Sequence, residues 1–557
     1  MNQRLLRYLL SIGLPLLGLT HVERAEAQTT CGASAIPCTK RAYRGIRIDD
    51  FARDVANAIS LVDPTPNPDY IPPKAFSVTV HGDDGESTPV LTLNSGQAQS
   101  NDGGGPFNFT DGVASAIGSV SKLLTEAAVR RMIEVNAEGS AYAACRVTLA
   151  TPFIDVLPAA FKRRAQANSS TWYNGVSVEQ VLQHRAGVPA QNPISWATVM
   201  NPVHPYLGCS QSPVKIPPTE PVPGCYSNTN YLIASTMLPL IRDCALRAQV
   251  DASAAAHCTA ETAGLNRDTC EMNWAFNFLS GMANSIVKEM VLDQTNARAS
   301  CDYPFVQIQS RIEVARGYGD RFAVSNGQYF RPTPSWCGAW GWQIPSSDLA
   351  SVLRHIWDGA YFISENSMGS RMTPLHNGSV DNYRALTIHL VPGTPPPGAP
   401  RSPAELTFAV VANSPMDTIH VLEKVKAAFN AALDPTAGPT PPAPVPLLTG
   451  ARGAWRCTGL GRHIRLRIAN TRDIAAFEAV GFAGLGAEEL WTASGGTVMS
   501  PTAPTGTYVR FPAGMGPKSG SNQTGTWSIT RTGSNITIMT AATGGSSFSY
   551  GCLPDTL

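Results

Sequence analysis

The 557-residue chain predicts a mixed α/β domain followed by a smaller all-β domain. Residues 76–80 and 406–411 alternate like strands near the two ends of the first segment, with helical patterns between them. Residues 435–446 contain six prolines and predict a semi-rigid spacer. Beyond them, short alternating segments are separated by Gly, Ser and Thr turns. This order predicts a sheet whose outer strands are distant in sequence and whose surface is covered by helices.

Further patterns complete the prediction for the first domain. Residues 90–93 are predicted to form a strand beside 76–80, and residues 386–390 form another strand. A helix is predicted from Ser119 onward, with its apolar residues spaced for one buried face. Residues 417–433 predict a second helix, whose apolar side would comprise Ile419, Leu422, Val425 and Phe429.

The C-terminal segment, residues 447–557, has the pattern of a β-rich domain. Residues 463–468 alternate like a strand, and residues 526–530 and 535–539 flank a Thr-Gly-Ser turn as in a hairpin. Cys457 and Cys552 lie near the two ends of this segment, so that a bridge between them would staple it.

The charge of the chain bears on its partners. The formal net charge is +1 and only 15% of the residues are charged. Proteins that bind nucleic acids normally carry a basic excess. The composition therefore argues against a nucleic-acid partner.

The N-terminus has the pattern of an export signal. Arg4 and Arg7 precede an apolar run at 8–20, and Ala25-Glu26-Ala27 matches the small-x-small pattern of a cleavage site. The alternative is a buried first helix. The run is too short to span a membrane comfortably, so we expect a mature chain that begins near Gln28 without a membrane anchor, and that is periplasmic or extracellular.

Twelve cysteines follow the predicted cleavage site. An even number of cysteines in an exported chain favours disulfide bonds. The sequence contains no closely spaced Cys-x2-Cys pair with His partners, so it predicts no zinc or other metal site.

The Ser-x-x-Lys pattern places a lysine amine beside a serine hydroxyl when both lie on one helix face. The pattern occurs three times: Ser119/Lys122, Ser212/Lys215 and Ser285/Lys288. Pro213 follows Ser212 directly, which argues against a lasting helix there. Ser285 fits a surface helix. Ser119 follows Gly118 and precedes a strong helical pattern, so its hydroxyl would lie at a helix N-terminus that favours a developing anion. An ordinary N-cap serine is the alternative.

Two more motifs follow in order. Tyr226-Ser227-Asn228 is the only Tyr-x-Asn in the chain, and His376-Asn377-Gly378 is the only His-x-Gly. Each by itself could be a turn or a loop histidine. Together with Ser119 and Lys122 they form a more specific set.

Residues 118–122 resemble the nucleophile motif of class C β-lactamases and of related penicillin-binding-protein-like serine hydrolases. The resemblance covers about 75–430 and includes a strand-like stretch at 148–158. It also includes the segments 176–189, 226–234 and 338–353. It implies a β-lactamase/transpeptidase-like fold, with a helical subdomain against an antiparallel sheet covered by helices, and no cofactor.

The resemblance also implies roles for individual residues. Ser119 would be acylated by a substrate carbonyl, with Lys122 or Tyr226 as the base. Lowering the pKa of the lysine from about 10.4 to about 7–8, by burial and nearby cations, would cost about 4 kcal/mol. Asn228 would hold Lys122 and bind substrate, and the oxyanion hole would be the N–H groups of Ser119 and Ser379.

The third motif bears on the substrate. His376 stands where β-lactamases usually have a lysine that binds the carboxylate of the drug, and histidine is mostly neutral near pH 7. In this chain the motif is formed by His376 and Gly378. The resemblance implies that relatives with His-x-Gly are more often esterases, D-aminopeptidases or D-peptidases. We therefore expect a small-molecule or peptide substrate with a reactive carbonyl.

Two alternatives to this function remain at this point, a β-lactamase and a non-catalytic penicillin or peptide sensor. Hydrolases of the Ser-His-Asp type normally contain Gly-x-Ser-x-Gly, which this chain lacks. A bridge between Cys209 and Cys225 is a further hypothesis, because it would fix the loop that carries Tyr226.

Overall fold

The computed structural model describes most of residues 29–433 and the strands of the segment 453–554. Outside it lie 1–28, 434–452, the loops between the C-terminal strands, shorter breaks, and the longer stretches 61–72, 138–145, 189–195, 197–225, 302–313, 319–329, 358–371 and 393–404. The predicted export signal, the proline-rich spacer and the hypothetical Cys209–Cys225 bridge therefore lie outside the described residues, as does the pair Ser212/Lys215.

The strands described before residue 434 are short at the edges and longer in the centre. In chain order they are β1 (Thr29–Cys31), β2 (Ile36–Cys38), β3 (Ala42–Tyr43), β4 (Ile46–Arg47), β5 (Phe76–Gly82), β6 (Leu91–Ser95), β7 (Gln97–Gln99), β8 (Phe107–Asn108), β9 (Ala114–Ala116), β10 (Gln343–Pro345), β11 (Leu375–Val380), β12 (Tyr383–Leu390) and β13 (Leu406–Ala412).

The α-helices described in this part lie mainly between β9 and β10. They are α1 (Ile48–Ser60), α2 (Ser121–Ala137), α3 (Phe153–Val156), α4 (Ala159–Gln166), α5 (Val178–Leu182), α6 (Asn228–Arg242), α7 (Ala245–His257), α8 (Leu265–Val287), α9 (Ser346–Trp357) and α10 (Thr418–Ala432).

The main sheet is antiparallel throughout and has the order β1-β2-β6-β5-β13-β12-β11. Strands β5 and β13, at its centre, come from the two ends of the domain and pair over their full length, from Phe76↔Ala412 to Gly82↔Leu406. The mixed α/β class with an antiparallel sheet covered by helices, expected from the sequence, is confirmed. The central pair β5–β13 joins the two ends of the domain, a contact between residues distant in sequence that favours slow folding.

Alternation along the central strands divides the core into two layers. On β13, Phe408 and Val410 pack in the layer that contains α1 and α10, whereas Ala409 and Val411 face the larger layer that contains α2 and α6. This is the period of two that a strand buried on both faces requires.

Helix α2 lies at the centre of the larger layer and is buried on nearly all sides. Its polar residues are buried as well, and Arg130 Nε donates to Glu126 Oε1 at 2.7 Å. The expectation of a helix with one buried face was therefore wrong. Charged residues are tolerated inside the core because they form ion pairs with each other. In a sequence, buried and paired charged residues give the same pattern as charged residues exposed to solvent.

Two further expectations are corrected. The strand-like stretch at 148–158 contains helix α3, Phe153–Val156, whose apolar side chains are buried. Ile419 on α10 is 63% exposed, while Val421, Val425 and Phe429 are buried. The buried stripe starts at Val421, because Asp417 caps the helix and places Ile419 in its exposed first turn.

Disulfide bonds link Cys258 to Cys270 and Cys301 to Cys337. The first joins the end of α7 to the start of α8, and the second anchors a turn, Cys337–Gly341, that packs against α2. No helix in the described part of the chain is both long and apolar enough to cross a membrane.

The C-terminal strands form a closed antiparallel barrel, and they lie within the segment expected to be β-rich. In order around the barrel they are β14 (Gly453–Gly459), β15 (Arg462–Ile468), β16 (Ile474–Val480), β17 (Glu489–Ser494), β18 (Thr505–Pro512), β19 (Gln523–Thr532), β20 (Asn535–Ala542) and β21 (Ser547–Pro554). Strands β19 and β20 pair down to Thr532↔Asn535, the position of the expected hairpin. Strand β14 pairs with β21, which closes the barrel.

The barrel register gives a test of the expected bridge between Cys457 and Cys552. The two residues are direct partners across the β14–β21 pair, and partners on adjacent antiparallel strands have Cα separations within the range of disulfides. We expect peptide mapping under non-reducing conditions to recover the peptide that contains Cys457 linked to the peptide that contains Cys552. Free thiols at both positions, or pairing with other cysteines, would contradict this.

Candidate active site

Ser119 lies in a short 3-10 turn, Gly118–Val120, directly before helix α2. Gly118 has a φ of +52°, a conformation that glycine adopts without strain. This turn points Ser119 away from the core, so the serine is partly exposed while Gly118 and Val120 are buried. The hydroxyl is therefore accessible to a substrate and lies at the N-terminal end of a buried helix.

Lys122 lies one helical turn after Ser119, and its side chain is fully buried. Its Nζ is 2.8 Å from Ser119 Oγ and donates to the carbonyl oxygen of Ala339 at 2.9 Å. It also lies 5.1 Å from the centre of the Tyr226 ring. The amine is thus held between the nucleophile candidate and one backbone carbonyl.

The turn that carries Ala339, residues Cys337–Gly341, has π-helical hydrogen bonding. Thr125 on α2 donates to Gly338 O at 3.0 Å, and Trp342 N donates to Ser121 Oγ at 3.2 Å. A side chain at Gly338 would collide with Ser235 on α6. These contacts fix the carbonyl that holds the amine.

Burial lowers the pKa of Lys122 well below the ordinary value of 10.5. Desolvation is the cause, because a charged ammonium loses more solvation than a neutral amine. The sequence-based expectation invoked burial together with nearby cations, and burial is the cause that the structure supports.

Tyr226 completes the group. Its hydroxyl donates to Ser119 Oγ at 2.8 Å. Burial raises its pKa to about 12, with the Ser119 hydrogen bond acting in the opposite direction. The phenol therefore keeps its proton near neutral pH and serves as a donor. Ser119 Oγ is therefore within hydrogen-bond distance of both the Lys122 amine, whose pKa is lowered by burial, and the phenol O–H of Tyr226.

Asn228, the first residue of α6, does not take its expected position. Its Oδ1 atom is buried and has no hydrogen-bond partner among the described residues. The expected hydrogen bond from Lys122 to Asn228 is not formed, and the amine donates to Ala339 O instead.

Strand β11 runs beside the Ser119 turn and brings the third motif to the site. A Cβ atom built at Gly118 would lie 2.6 Å from Ser379 N, and one built at Gly378 would lie 3.1 Å from Ser119 N. Both glycines are therefore required for the two backbone segments to approach. The N–H groups of Ser119 and Ser379 lie on adjacent segments, as an oxyanion hole requires.

His376 lies at the start of the same strand. Burial lowers its pKa to about 4, and a positive charge on Lys122 would act in the same direction, so the ring is neutral near pH 7. Its Nδ1 is 2.8 Å from the carbonyl oxygen of Asn377, so the neutral ring carries its proton on Nδ1. Nε2 is then a hydrogen-bond acceptor and carries no positive charge.

The second Ser-x-x-Lys pair in the described chain forms no comparable group. Ser285 lies on α8, and Lys288 Nζ pairs with Asp293 at 2.5 Å with its side chain 36% exposed. The surface-helix interpretation therefore fits this lysine. Among the described residues, no group of three or more His, Cys, Asp or Glu side chains could hold a metal ion.

Two participants were missed from the sequence. Ala339 contributes only a backbone carbonyl, which leaves no signal in a residue pattern. His184 lies in the expected helix and turn at 176–189, where α5 starts at a capping box formed by Ser177 and Gln180. Its ring stacks on Tyr226 with centroids 4.2 Å apart. The segment 176–189, in which the resemblance already included this histidine, was the signal that could have indicated it.

Known structures similar to this chain include a D-amino acid amidase from Ochrobactrum anthropi SV3 complexed with D-phenylalanine, with 12% identity, a TM-score of 0.39 and coverage of 68% of this chain and 99% of that chain. A class C β-lactamase has 14% identity, a TM-score of 0.39 and coverage of 71% of this chain and 99% of that chain. The octameric penicillin-binding protein homologue from Pyrococcus abyssi has 12% identity, a TM-score of 0.38 and coverage of 86% of this chain and 96% of that chain.

These structures belong to the group of proteins that the sequence motifs indicated. No protein-family model matches the chain, and no curated protein matches it.

Replacing Gly378 tests the contact between β11 and the Ser119 turn. In Gly378→Ala the new methyl group would contact Ile117 O and approach Ser119 N, which forces the strand away from the turn. We expect kcat on an ester substrate to fall about 10²–10³-fold, the usual effect of losing one oxyanion donor. Gly281→Ala is the control, because no atom lies within 4 Å of its new methyl group. Unchanged kcat in Gly378→Ala would contradict the arrangement.

The buried amine predicts a pH-dependent effect on stability. The pKa of Lys122 is lower in the folded chain than in the unfolded chain, so the unfolded chain binds more protons and stability rises with pH up to about 10.5. Lys122→Met removes this penalty. We expect the Tm of the variant to exceed that of the wild type at neutral pH, with a difference that shrinks toward pH 10.5. Lys288→Met, at the partly exposed ion pair, should show no such pH-dependent gain; a lower Tm for Lys122→Met throughout would contradict the prediction.

Proposed function

We propose that this chain is an exported serine hydrolase that forms an acyl-enzyme on Ser119, acting on esters or on peptides and amides that contain D-amino acids. The observation that supports this most directly is that Ser119 Oγ lies 2.8 Å from both Lys122 Nζ and Tyr226 Oη. A serine hydroxyl needs such neighbours to become a nucleophile.

The pKa shifts support a division of roles that the sequence left open. Lys122, with its pKa well below 10.5, has a free lone pair and accepts the Ser119 proton as the oxygen attacks the carbonyl carbon. Tyr226, with a pKa of about 12, stays protonated and passes a proton toward the leaving group, regaining one from Lys122. The net transfer moves the serine proton to the leaving group.

The developing oxyanion would be bound by the N–H groups of Ser119 and Ser379. Such donors contribute about 3–4 kcal/mol in the transition state. Water then attacks the acyl-enzyme, with the same amine as base, and restores Ser119. The unpaired Oδ1 of Asn228 would accept an N–H from an amide substrate.

The neutral ring of His376 supports an ester or peptide substrate over a β-lactam. A penicillin carboxylate is best bound by a fixed cation, and His376, whose pKa is lowered to about 4, supplies none near pH 7. A hydrogen-bond acceptor at Nε2 fits a substrate that presents N–H or O–H groups at this position.

Export and domain organisation are part of the proposal. A signal peptide at 1–27, a hydrolase domain at 28–434, a linker at 435–446 and a β domain at 447–557 follow from the sequence patterns. Two disulfide bonds in the described chain fit folding in an oxidising compartment.

The test uses the mature chain, residues 28–557, and two reagents. A fluorophosphonate should add covalently to Ser119, as located by peptide mass spectrometry, and p-nitrophenyl esters or D-amino-acid amides should be turned over. Ser119→Ala should abolish the labelling and reduce turnover to background.

Ser285→Ala serves as the matched control, because Ser285 lies on α8 and is the serine of the Ser285/Lys288 pair. This variant should retain wild-type labelling and turnover. A stable adduct without turnover of any substrate in the panel would favour a sensor, and fast turnover of nitrocefin would favour a β-lactamase. Turnover that survives in Ser119→Ala would sink the proposal.

A further inference from the structure

His184 lies against the face of Tyr226 at the end of α5. The two rings are stacked, with centroids 4.2 Å apart and an interplanar angle of 29°. The imidazole also packs against Tyr231 of α6, with ring centroids 5.1 Å apart. The side chain is buried, with 9% exposure. The phenol is thereby confined on one face by a ring that cannot move into solvent.

The same imidazole holds the backbone that carries Tyr226. Ser227 N donates to His184 Nδ1 at 3.2 Å, and Asn230 Nδ2 lies 3.3 Å from the same nitrogen. Ser227 in turn caps α6 by accepting from Thr229 N. His184 therefore fixes both the ring of Tyr226 and the start of the helix that follows it.

These bonds require a neutral ring with its proton on Nε2. Nδ1 faces two N–H donors, so a proton on that atom would abolish both hydrogen bonds. Burial lowers the pKa of His184 well below 6.5, and a positive charge on Lys122 or His376 would act in the same direction. Nε2 is buried, and none of the described residues forms a hydrogen bond with it.

The backbone of His184 indicates that this placement is imposed by its surroundings. Its φ of +56° lies in the left-handed region, which non-glycine residues adopt only at an energetic cost. Residue 184 comes two positions after the last residue of α5, and Arg185 N donates to Gln180 O at 2.7 Å to close the turn. The turn aims the imidazole at Tyr226.

We propose that His184 is a positioning residue for the reaction, which holds the Tyr226 hydroxyl within hydrogen-bond distance of Ser119 Oγ. This inference rests on the proposed function, because it acts through Tyr226. His184 itself does not touch the reacting atoms. Without it, the phenol can rotate away from Ser119, and proton transfer to the leaving group becomes slower while substrate binding is unaffected.

Two variants separate the two contacts. His184→Phe keeps a ring to stack on Tyr226 but removes the Nδ1 acceptor. His184→Asn keeps an acceptor and tolerates positive φ but removes the ring. We expect each to lower kcat for a p-nitrophenyl ester about 10–100-fold, the scale of a misplaced acid–base group, with little change in KM.

A double-mutant cycle with Tyr226→Phe distinguishes positioning from loss of folding. If His184 acts through the phenol, His184→Asn should have no further effect on kcat in the Tyr226→Phe background. If it is only structural, both backgrounds should lose activity by the same factor. Additive losses of kcat in the double mutant would overturn the inference. Wild-type kcat in both His184→Phe and His184→Asn would overturn it as well.

A second readout does not need activity. Nitration by tetranitromethane, located by peptide mass spectrometry, should increase several-fold at Tyr226 in His184→Asn, because the covering ring is gone. Tyr173 is the internal control, since it is buried against Phe153 and should stay unmodified in a folded chain. Unchanged nitration at Tyr226 would overturn the inference. Absence of fluorophosphonate labelling in the wild type would instead overturn the proposed function, and nitration would still test His184.

Discussion

Burial of the Lys122 amine is the constraint on which the rest of the site depends. A fully buried ammonium would lose its hydration and gain only one backbone carbonyl, Ala339 O, and one hydroxyl in return. Burial therefore lowers the pKa of the amine well below 10.5. A lysine placed in this way contributes less to stability, but a larger fraction of it is unprotonated and able to accept a proton, which is the trade-off expected of a reactive site.

Several elements of the fold serve to keep water away from that amine. The Cys337–Gly341 turn covers it on one side, held to α2 by Thr125 and to the chain by the Cys301–Cys337 bridge. The rings of Tyr226 and Tyr231 lie at 5.1 and 5.9 Å on another side. Strand β11 approaches the Ser119 turn closely, which is possible only because residues 118 and 378 are glycines. The partly exposed Ser119 hydroxyl is left as the point of access.

The sequence predicted the parts of this arrangement that follow from spacing. Residues three apart on a helix share a face, so spacing alone pairs Ser119 with Lys122. The strands at 76–80 and 406–411 were predicted from alternation, and their direct pairing joins the two ends of the first domain in the main sheet. Tyr226 was connected to Ser119 only through the order of the motifs.

The parts that could not be predicted depend on atoms without sequence signals or on competition between partners. The amine of Lys122 donates to the carbonyl oxygen of Ala339 and not to the amide of Asn228. A sequence pattern cannot predict whether a backbone oxygen or a side-chain oxygen will accept such a hydrogen bond. The buried ion pair of Arg130 and Glu126 made a core helix look half-exposed. The contact of His184 with Tyr226 joins residues 42 positions apart through a strained turn, which local propensity does not encode.

The most direct test of this account is a titration of the Lys122 side chain by NMR in the mature protein, using lysine labelled with ¹³C at Cε and Lys122→Met to assign the signal. The account requires the Cε resonance to titrate with a midpoint well below 10.5, so that the amine is largely neutral under conditions where Ser119 reacts. A midpoint at or above the ordinary lysine value would mean that the amine is a charged structural group, and the assignment of Lys122 as the base would be wrong.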